Sequence, residues 1–161
     1  MRIRLAKTED SPRIAEVHVT SWRETYPGIV PQTYLDTLDI EEKQSFWERA
    51  LVNGTQLYVA ESQRGIVGIA SGGAYRGDAP DIKGELYLIY LLAEAKRQGI
   101  GRALFNAVKQ QMMPTHHPFC AYVLADNPAC YFYRAMGGEI IGDHIEDIGG
   151  KPLKEFQFLF R

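Results

Sequence analysis

The stretch Glu85-Leu-Tyr-Leu-Ile-Tyr-Leu-Leu-Ala-Glu-Ala-Lys-Arg-Gln-Gly-Ile-Gly-Arg-Ala-Leu104 decides the fold. Its apolar run from Leu86 to Leu92 predicts a buried central strand, and a helical pattern resumes after Gly99 and Gly101. The first N–H groups of a helix have no partner inside the helix, and the helix dipole favours negative charge there. We therefore predict that this strand, turn and helix hold the pyrophosphate of a cofactor.

The bulk composition is that of an ordinary soluble globular protein. The chain has 161 residues, of which 45% are hydrophobic and 24% charged, and its formal net charge is -2. This size predicts one domain over residues 1–161, and the charge gives no reason to expect nucleic-acid or membrane binding. No stretch of about 18 apolar residues occurs, and Cys120 and Cys130 form no C-x-x-C pair. We expect a reduced, cytoplasmic protein with no metal site.

The hydrophobic period along the rest of the chain alternates between that of helices and that of strands. Ser11-Pro12 and Asn127-Pro128 each read as an N-cap followed by the first helical residue. The pattern predicts an α/β (α+β) fold, a mixed sheet with helices on both faces. The predicted strands are 3–6, 57–61, 66–75, 85–91, 119–124, 139–145 and 155–160, and the predicted helical segments are 11–26, 32–38, 41–51, 101–113 and 128–136.

The aromatic residues of the early helices allow two interpretations. Tyr34, Phe46 and Trp47 are sparse for a core and suit a flap over a ligand, but they equally suit packing between neighbouring helices. The variable region from Trp22 to Leu51 and the C-terminal hairpin are where a substrate would be recognised. The sequence does not show whether the acidic side chains of the first region converge; these are Asp36, Asp39, Glu41 and Glu42.

Two motifs give the chain a family resemblance. Lys96-Arg-Gln-Gly99-Ile-Gly101 resembles the acetyl-CoA motif of the GNAT N-acetyltransferase superfamily, written [QR]-x-x-G-x-[GA]. Ala129-Cys-Tyr-Phe-Tyr133-Arg-Ala-Met-Gly-Gly138 resembles the second signature, a helix that carries Phe-Tyr and ends at Gly. Ser21-Trp-Arg-Glu-Thr-Tyr26-Pro-Gly28 is similar to the first helix of a bacterial subgroup. The resemblance covers essentially the whole chain.

The resemblance implies a mostly antiparallel central sheet of about six to seven strands and acetyl-CoA as co-substrate. Lys96 stands where the motif has Gln or Arg, which keeps a positive charge but loses the planar fork of Arg. The family Asn falls in register with Asp126, whereas this chain has its Asn one residue later, at Asn127. The implied cofactor-binding residues are Leu91, Leu92, Lys96, Arg97, Gln98, Gly99, Ile100, Gly101, Arg102 and either Asp126 or Asn127.

Other phosphate-binding motifs fit the sequence less well. A dinucleotide motif G-x-G-x-x-G needs glycine where this chain has Leu104, and it would follow a first strand rather than lie in mid-chain. A P-loop would need Gly-Lys-Ser/Thr, which is absent. Bare glycines do let successive amides converge on an anion, which supports the acetyl-CoA motif on physical grounds.

Acetyl transfer to an amine needs a base, because an alkylamine is mostly protonated at neutral pH. Glu85 begins the central strand, where histone-acetylating relatives carry their base, and desolvation there would favour a carboxylate that accepts a proton. Glu85 is therefore the candidate base, acting directly or through water; the alternative is that it only marks a solvated strand end. The resemblance further implies a bulged, splayed strand whose amide near Leu91 or Leu92 polarises the thioester carbonyl.

Tyr133 is the candidate acid that protonates the departing thiolate, since a phenol is protonated at neutral pH. The alternative for Tyr133 is a packing role beneath its helix. Neither cysteine has a neighbouring base in the sequence that suggests an acetyl-cysteine intermediate. The adjacent His116 and His117 lie between prolines in a loop and are expected to be solvated rather than metal-bound.

The sequence thus predicts an N-acetyltransferase that moves acetyl from acetyl-CoA to a primary amine by direct attack in a ternary complex. The alternative is a non-catalytic acyl-CoA-binding sensor. The acceptor, a small amine or a protein N-terminus, is not specified, but Trp22, Tyr26 and Tyr34 are the candidate residues that would contact it. A homodimer through the C-terminal strands is compatible with the resemblance.

Overall fold

The computed structural model describes all residues from Met1 to Arg161. Seven strands form one sheet in the order β1-β2-β3-β4-β5-β7-β6, and every neighbouring pair is antiparallel except β4 and β5. The predicted mixed and mostly antiparallel sheet is therefore confirmed. The strands are β1 (Arg2–Leu5), β2 (Leu57–Ser62), β3 (Gly65–Ala74), β4 (Gly84–Leu91), β5 (Phe119–Leu124), β6 (Glu139–Ile148) and β7 (Lys151–Phe160).

Helices cover both faces of this sheet. On one face α1 packs with α3 and rests on β3 and β4, while α4 packs on β2, β3 and β4 from the other face. None of the helices combines the length and the hydropathy that crossing a membrane requires. The helices are α1 (Ser11–Thr25), α2 (Gln32–Leu35), α3 (Ile40–Val52), α4 (Ile100–Met112) and α5 (Ala129–Ala135).

The main core lies between β3, β4 and the helices that cover them. Twenty-five buried residues form one cluster, with Ile14 and Val17 from α1 and Leu104 and Val108 from α4. The spacing of three or four residues within each helix puts these side chains on one face, as the sequence pattern predicts. β4 is the fourth of seven strands, so its predicted central position is confirmed.

Several predicted boundaries were wrong in detail, among them that of α2, which ends at Leu35 rather than at residue 38. Ser11 is the first residue of α1 rather than its N-cap, because a 3₁₀ turn at Thr8–Asp10 precedes it and its hydroxyl donates to Thr8 O. α4 begins at Ile100, directly after Gly99. The C-terminal hairpin is longer than predicted, since β6 and β7 pair over ten residues each and turn only at Gly149 and Gly150.

Candidate active site

β4 and β5 separate soon after they begin, and this opens a cleft in the centre of the sheet. The two strands pair only at Gly84 with Phe119 and at Glu85 with Cys120. A bulge at Tyr87 shifts the register of β4 against β3, because Leu86 pairs with Gly72 whereas Leu88 pairs with Ser71. The bulged, splayed strand that the resemblance implies is present.

The splay leaves backbone amides of β4 without a strand partner. Leu92 N donates to Val67 O at 3.0 Å, so its N–H belongs to the pairing with β3. Successive residues of an antiparallel strand direct their N–H groups to opposite edges, so the N–H of Leu91 points away from β3 and into the cleft. Of the two amides proposed from the sequence, only Leu91 is free to donate to a ligand.

The turn between β4 and α4 presents a group of unpaired N–H donors. The N–H groups from Arg97 to Arg102 donate to no backbone or side-chain acceptor in the protein. Arg97 and Gly99 have φ values of 61° and 80°, so the chain alternates into the left-handed region as an anion-binding nest requires. Lys96, Arg97 and Arg102 are exposed around this turn and add positive charge. The turn therefore fits a pyrophosphate.

Gly101 allows the helix to approach the strand closely. A Cβ atom there would lie 3.2 Å from Leu91 Cδ1 and about as close to the ring of Phe132, at 3.5 Å. The Ile100 side chain is buried in the core at 5% exposure, so this residue can meet a ligand only through its backbone. Small residues and inward apolar side chains thus bring the N-terminus of α4 directly against the end of β4.

The cleft widens into a cavity of about 300 Å³ between β4, β5 and the C-terminal hairpin. Both proposed catalytic residues, Glu85 and Tyr133, line it. Its wall combines aromatic side chains with polar groups from five separate elements, the arrangement expected of a small-molecule site. The other lining residues used below are Trp22, Tyr26, Arg76, Tyr90, Tyr122, Leu124, Asn127, Glu146, Ile148 and Glu155.

Glu85 is buried to 3% exposure and is held by Arg76. The Arg76 backbone N–H donates to Oε1 at 3.2 Å, and its guanidinium donates to Oε2 through Nε and Nη2. A carboxylate offers about four lone-pair positions, so Arg76 occupies three of them and leaves one on Oε1. The alternative of a solvated strand end is wrong, because Glu85 is a buried carboxylate paired with a fixed cation.

Tyr133 is 7% exposed, and its hydroxyl makes no hydrogen bond within the protein. Burial, with smaller contributions from Tyr26 and Tyr90, raises its pKa above the ordinary value of a phenol. The hydroxyl is therefore a protonated, unpaired donor in the cavity wall. Its aromatic ring also packs against Phe132 and Phe158, so a packing role and a chemical role coexist.

The structure separates the two candidates for the family Asn. Asp126 is exposed, whereas Asn127 lines the cavity. Asn127 Oδ1 accepts from Ala129 N at 2.9 Å, and its Nδ2 donates to Tyr26 Oη at 3.1 Å. The N-cap of α5 is Pro128 rather than the predicted Asn127, but Asn127 accepts from the first residue of α5 and ties this end of the helix to Tyr26 at the end of α1. Because it lines the cavity, Asn127 is the better placed of the two to meet a ligand.

The aromatic residues of the early helices divide between the cavity and the core. Trp22 and Tyr26 line the cavity, while Tyr34 packs behind them, with its ring centroid 6.2 Å from that of Trp22. Trp47 is 4% exposed and donates from Nε1 to His18 Nδ1 at 3.0 Å, so the packing interpretation is correct for Trp47. The ring of Phe46 packs edge-to-face against that of Trp47. Phe46 is half exposed and does not line the cavity.

Sequence reasoning missed an acidic group on the C-terminal hairpin. Glu146 and Glu155 line the cavity, and His144 lies with them at its outer end. β7 pairs His144 with Glu155, but Glu146 lies beyond the predicted strand end at residue 145, so the predicted strands did not bring Glu146 beside Glu155. The acidic residues of the early helices do not line the cavity; Asp39 instead caps α3 by accepting from Glu41 N.

The cysteines are buried and unbridged. Burial raises the pKa of the Cys120 thiol to about 11, and it also raises the pKa of Cys130. Both thiols are therefore protonated at neutral pH and poor nucleophiles. This agrees with the prediction that no acetyl-cysteine intermediate forms.

Known proteins match both the sequence and the fold. A family model described as an acetyltransferase (GNAT) domain matches residues 53–137. YuaI of Bacillus subtilis, an uncharacterized N-acetyltransferase, is 40% identical over 157 residues, which cover 95% of this chain and 88% of YuaI. The ribosomal-protein-alanine N-acetyltransferase of Brucella melitensis has a TM-score of 0.77 at 24% identity and covers 99% of both chains. The Salmonella typhimurium yncA structure, solved with its cofactor acetyl-CoA, has a TM-score of 0.74 at 18% identity and covers 99% of this chain and 92% of its own.

Proposed function

The chain belongs to the GNAT acetyltransferase family, and from this premise we propose that it transfers acetyl directly from acetyl-CoA to a primary amine held in the cavity. It is an acyltransferase that uses acetyl-CoA as co-substrate. The observation that carries the proposal is the continuity of the site. Glu85 and Tyr133 line one cavity, and β4 runs from Gly84 to the free amide of Leu91, directly before the unpaired amides of the turn.

The turn before α4 supplies the binding energy for the cofactor. Its unpaired N–H groups and the positive end of the helix dipole favour pyrophosphate oxygens. Lys96, Arg97 and Arg102 contribute further attraction at the surface. When bound, acetyl-CoA supplies the thioester at the inner end of the cleft.

Leu91 and Tyr133 act on the two atoms where charge develops. The Leu91 N–H donates to the carbonyl oxygen, which gains negative charge as the amine nitrogen attacks the carbonyl carbon. The C–N bond forms as the C–S bond breaks, and the Tyr133 hydroxyl gives its proton to the leaving sulfur. The raised pKa of Tyr133 keeps that proton available throughout the neutral range.

Glu85 takes the proton from the incoming amine through a water molecule. Arg76 occupies most of the carboxylate, so only the free position on Oε1 is available to accept. Arg76 also fixes the carboxylate in one orientation, which a proton acceptor requires. This proposal favours the water-mediated route over direct contact.

The proposal is tested by release of CoA thiol from acetyl-CoA in the presence of a panel of primary amines. CoA affinity is measured separately by titration calorimetry. We expect thiol release that depends on an added amine, with an acetylated amine identified by mass. CoA binding without turnover on any small amine or peptide N-terminus would instead support a non-catalytic acyl-CoA sensor.

A further inference from the structure

The outer end of the cavity carries more carboxylates than guanidinium groups. Glu85, Glu146 and Glu155 are its three carboxylates, whereas Arg76 is its only guanidinium and already pairs with Glu85. His144 Nε2 lies 3.0 Å from Glu155 Oε1 and 3.4 Å from Glu146 Oε2. Nε2 carries at most one proton and can donate to only one of these two carboxylates at a time, so the other stays free to meet a cation.

The surroundings of Glu155 favour a positively charged binding partner. Its side chain is 19% exposed, and burial raises its pKa; His144 opposes this effect, and the nearby Glu146 adds to it. The carboxylates of Glu146 and Glu155 repel one another, and a cation between them would remove this repulsion. A bound ammonium group would relieve this repulsion and could donate a hydrogen bond to each of the two carboxylates.

An independent feature at the inner end of the same cavity also points to a ligand. The Tyr133 hydroxyl belongs to a side chain that is 7% exposed, has no partner, and lines the cavity whose wall includes Glu146 and Glu155. Buried polar groups are normally paired in a folded protein. A ligand that spans the cavity would therefore meet a hydrogen-bonding group at one end and carboxylates at the other.

The wall between these ends suits a short hydrocarbon chain. Thirteen of the eighteen lining residues are hydrophobic, among them Tyr122, Leu124 and Ile148. Methylene groups gain from contact with such a surface, and the aromatic faces favour a nearby cation. The volume of about 300 Å³ admits a small acceptor and is at the lower limit for ligand sites.

We propose that Glu146 and Glu155 bind a second ammonium group of the acceptor, so that the preferred substrate is a small aliphatic diamine. This inference rests on the proposed function, since it names the class of amine that the acetyl group reaches. One ammonium binds at the outer carboxylates while the other end of the diamine, as a neutral amine, lies toward Tyr133.

The experiment compares 1,4-diaminobutane with n-butylamine, which matches its chain length but lacks the second charge. In buffer that contains EDTA, we expect kcat/KM for the diamine to exceed that for the monoamine by about tenfold or more, the effect of one partly buried ion pair. Glu146→Gln and Glu155→Gln, which keep the side-chain shape, should each reduce this ratio several-fold. Equal values for the two amines would overturn the inference while leaving acetyl transfer intact.

Glu139→Gln is the matched control. It removes the same charge from the same strand as Glu146, and both side chains are exposed, but Glu139 faces Arg161 and does not line the cavity. It should leave the diamine-to-monoamine ratio unchanged. A reduction in the ratio as large as that of Glu146→Gln would show that overall charge, rather than the site, sets the preference.

Binding measurements keep the inference separate from catalysis. Calorimetric titration of 1,4-diaminobutane into the CoA complex should show affinity that Glu155→Gln weakens, even if no amine is turned over. An absence of diamine binding to the wild-type complex would overturn the inference. A higher kcat/KM for a peptide with a basic N-terminal sequence than for the diamine would also overturn it, in favour of a protein acceptor.

Discussion

Glu85 shows how one buried charge depends on one exposed partner. Its side chain is 4% exposed, whereas that of Arg76 is 67% exposed. The carboxylate has therefore lost most of its hydration, while the guanidinium remains hydrated. An ion left buried without its partner loses more free energy than the pair itself contributes. The orientation of Glu85 and the stability of the strand end are therefore linked through Arg76.

We expect Arg76→Ala to lower the free energy of unfolding by about 1–2 kcal/mol, because it leaves Glu85 with only a backbone donor. Urea denaturation measures the change. Arg64→Ala is the control, since the pair between Arg64 and Glu94 is exposed on both sides and contributes less than about 1 kcal/mol. Adding Glu85→Gln to Arg76→Ala should restore most of the loss; an equal loss in the Arg64 and Arg76 variants would contradict this explanation.

Glu85→Gln tests the role of the carboxylate in catalysis. The amide keeps the shape but cannot take a proton, so we expect kcat with the best acceptor to fall by about 100-fold at neutral pH. The loss should shrink as the pH is raised and more of the free amine is already deprotonated. If Glu85→Gln has the kcat of the wild type at every pH tested, Glu85 does not act as the base.

Individual residues differ in how far the sequence predicts them. The candidate catalytic residues Glu85 and Tyr133 were predicted from two motifs, because each lies at a set distance along the chain from a motif glycine. Arg76 was not found, since it lies in a loop and reaches Glu85 only through the pairing of β3 with β4. Glu146 and Glu155 were missed for a similar reason, because the hairpin register alone brings them together.

The turn between β4 and α4 is the element on which the proposed cofactor binding depends. Its geometry requires glycine at position 99, where φ is 80° and a side chain is strained whatever the available space. The open surroundings of Gly99 mean that an added methyl group would meet no atom of the protein within 4 Å. A substitution there therefore acts through the backbone, and through any ligand that approaches it.

We expect Gly99→Ala to cost about 1 kcal/mol of stability and to weaken CoA affinity by about tenfold, because the amides no longer converge. Gly54→Ala is the matched control, since Gly54 has φ of 90° and equally open surroundings but lies in the turn after α3. It should show the same loss of stability with unchanged CoA affinity. Equal CoA affinity in both variants would exclude the turn as the pyrophosphate site.

Elements with a strong hydrophobic pattern were predicted closely. Strands whose ends are set by pairing with another strand were not. β5 was predicted without error at 119–124, because its apolar run is bounded by Pro118 and by Ala125-Asp126. β6 and β7 extend beyond their alternating patterns because they pair with each other through polar and charged residues as far as Ile148. The cleft between β4 and β5 could be expected only from the family resemblance, since no residue pattern marks where two strands part.

The prediction at the scale of the whole molecule concerns His18, a half-buried histidine of α1 that packs against Trp47 of α3. His18 accepts from Trp47 Nε1, which requires an unprotonated Nδ1, and burial lowers the pKa of His18 to about 4. The nearby Lys43 adds to this effect. In the unfolded chain a histidine has a pKa of about 6.5, so below that value the unfolded state binds a proton that the folded state does not.

Stability should therefore fall as the pH falls from 6.5 toward 4. From pH 7 to pH 5 we expect a loss of about 2 kcal/mol from this group, measured by urea denaturation at each pH. His18→Gln keeps an acceptor for Trp47 but cannot be protonated, so its loss over the same interval should be smaller by that amount. Parallel pH profiles for the two proteins would show that His18 is not responsible.

The central claim is that acetyl reaches the amine directly with Tyr133 as the proton donor, and the kcat of Tyr133→Phe tests it most directly. We expect kcat with the best acceptor to fall by about 100-fold or more, while the Kd for CoA changes less than about twofold. Tyr131→Phe is the control, because Tyr131 lies on the same helix, is 77% exposed and should leave kcat unchanged. A Tyr133→Phe variant with the kcat of the wild type would contradict the assignment of the acid.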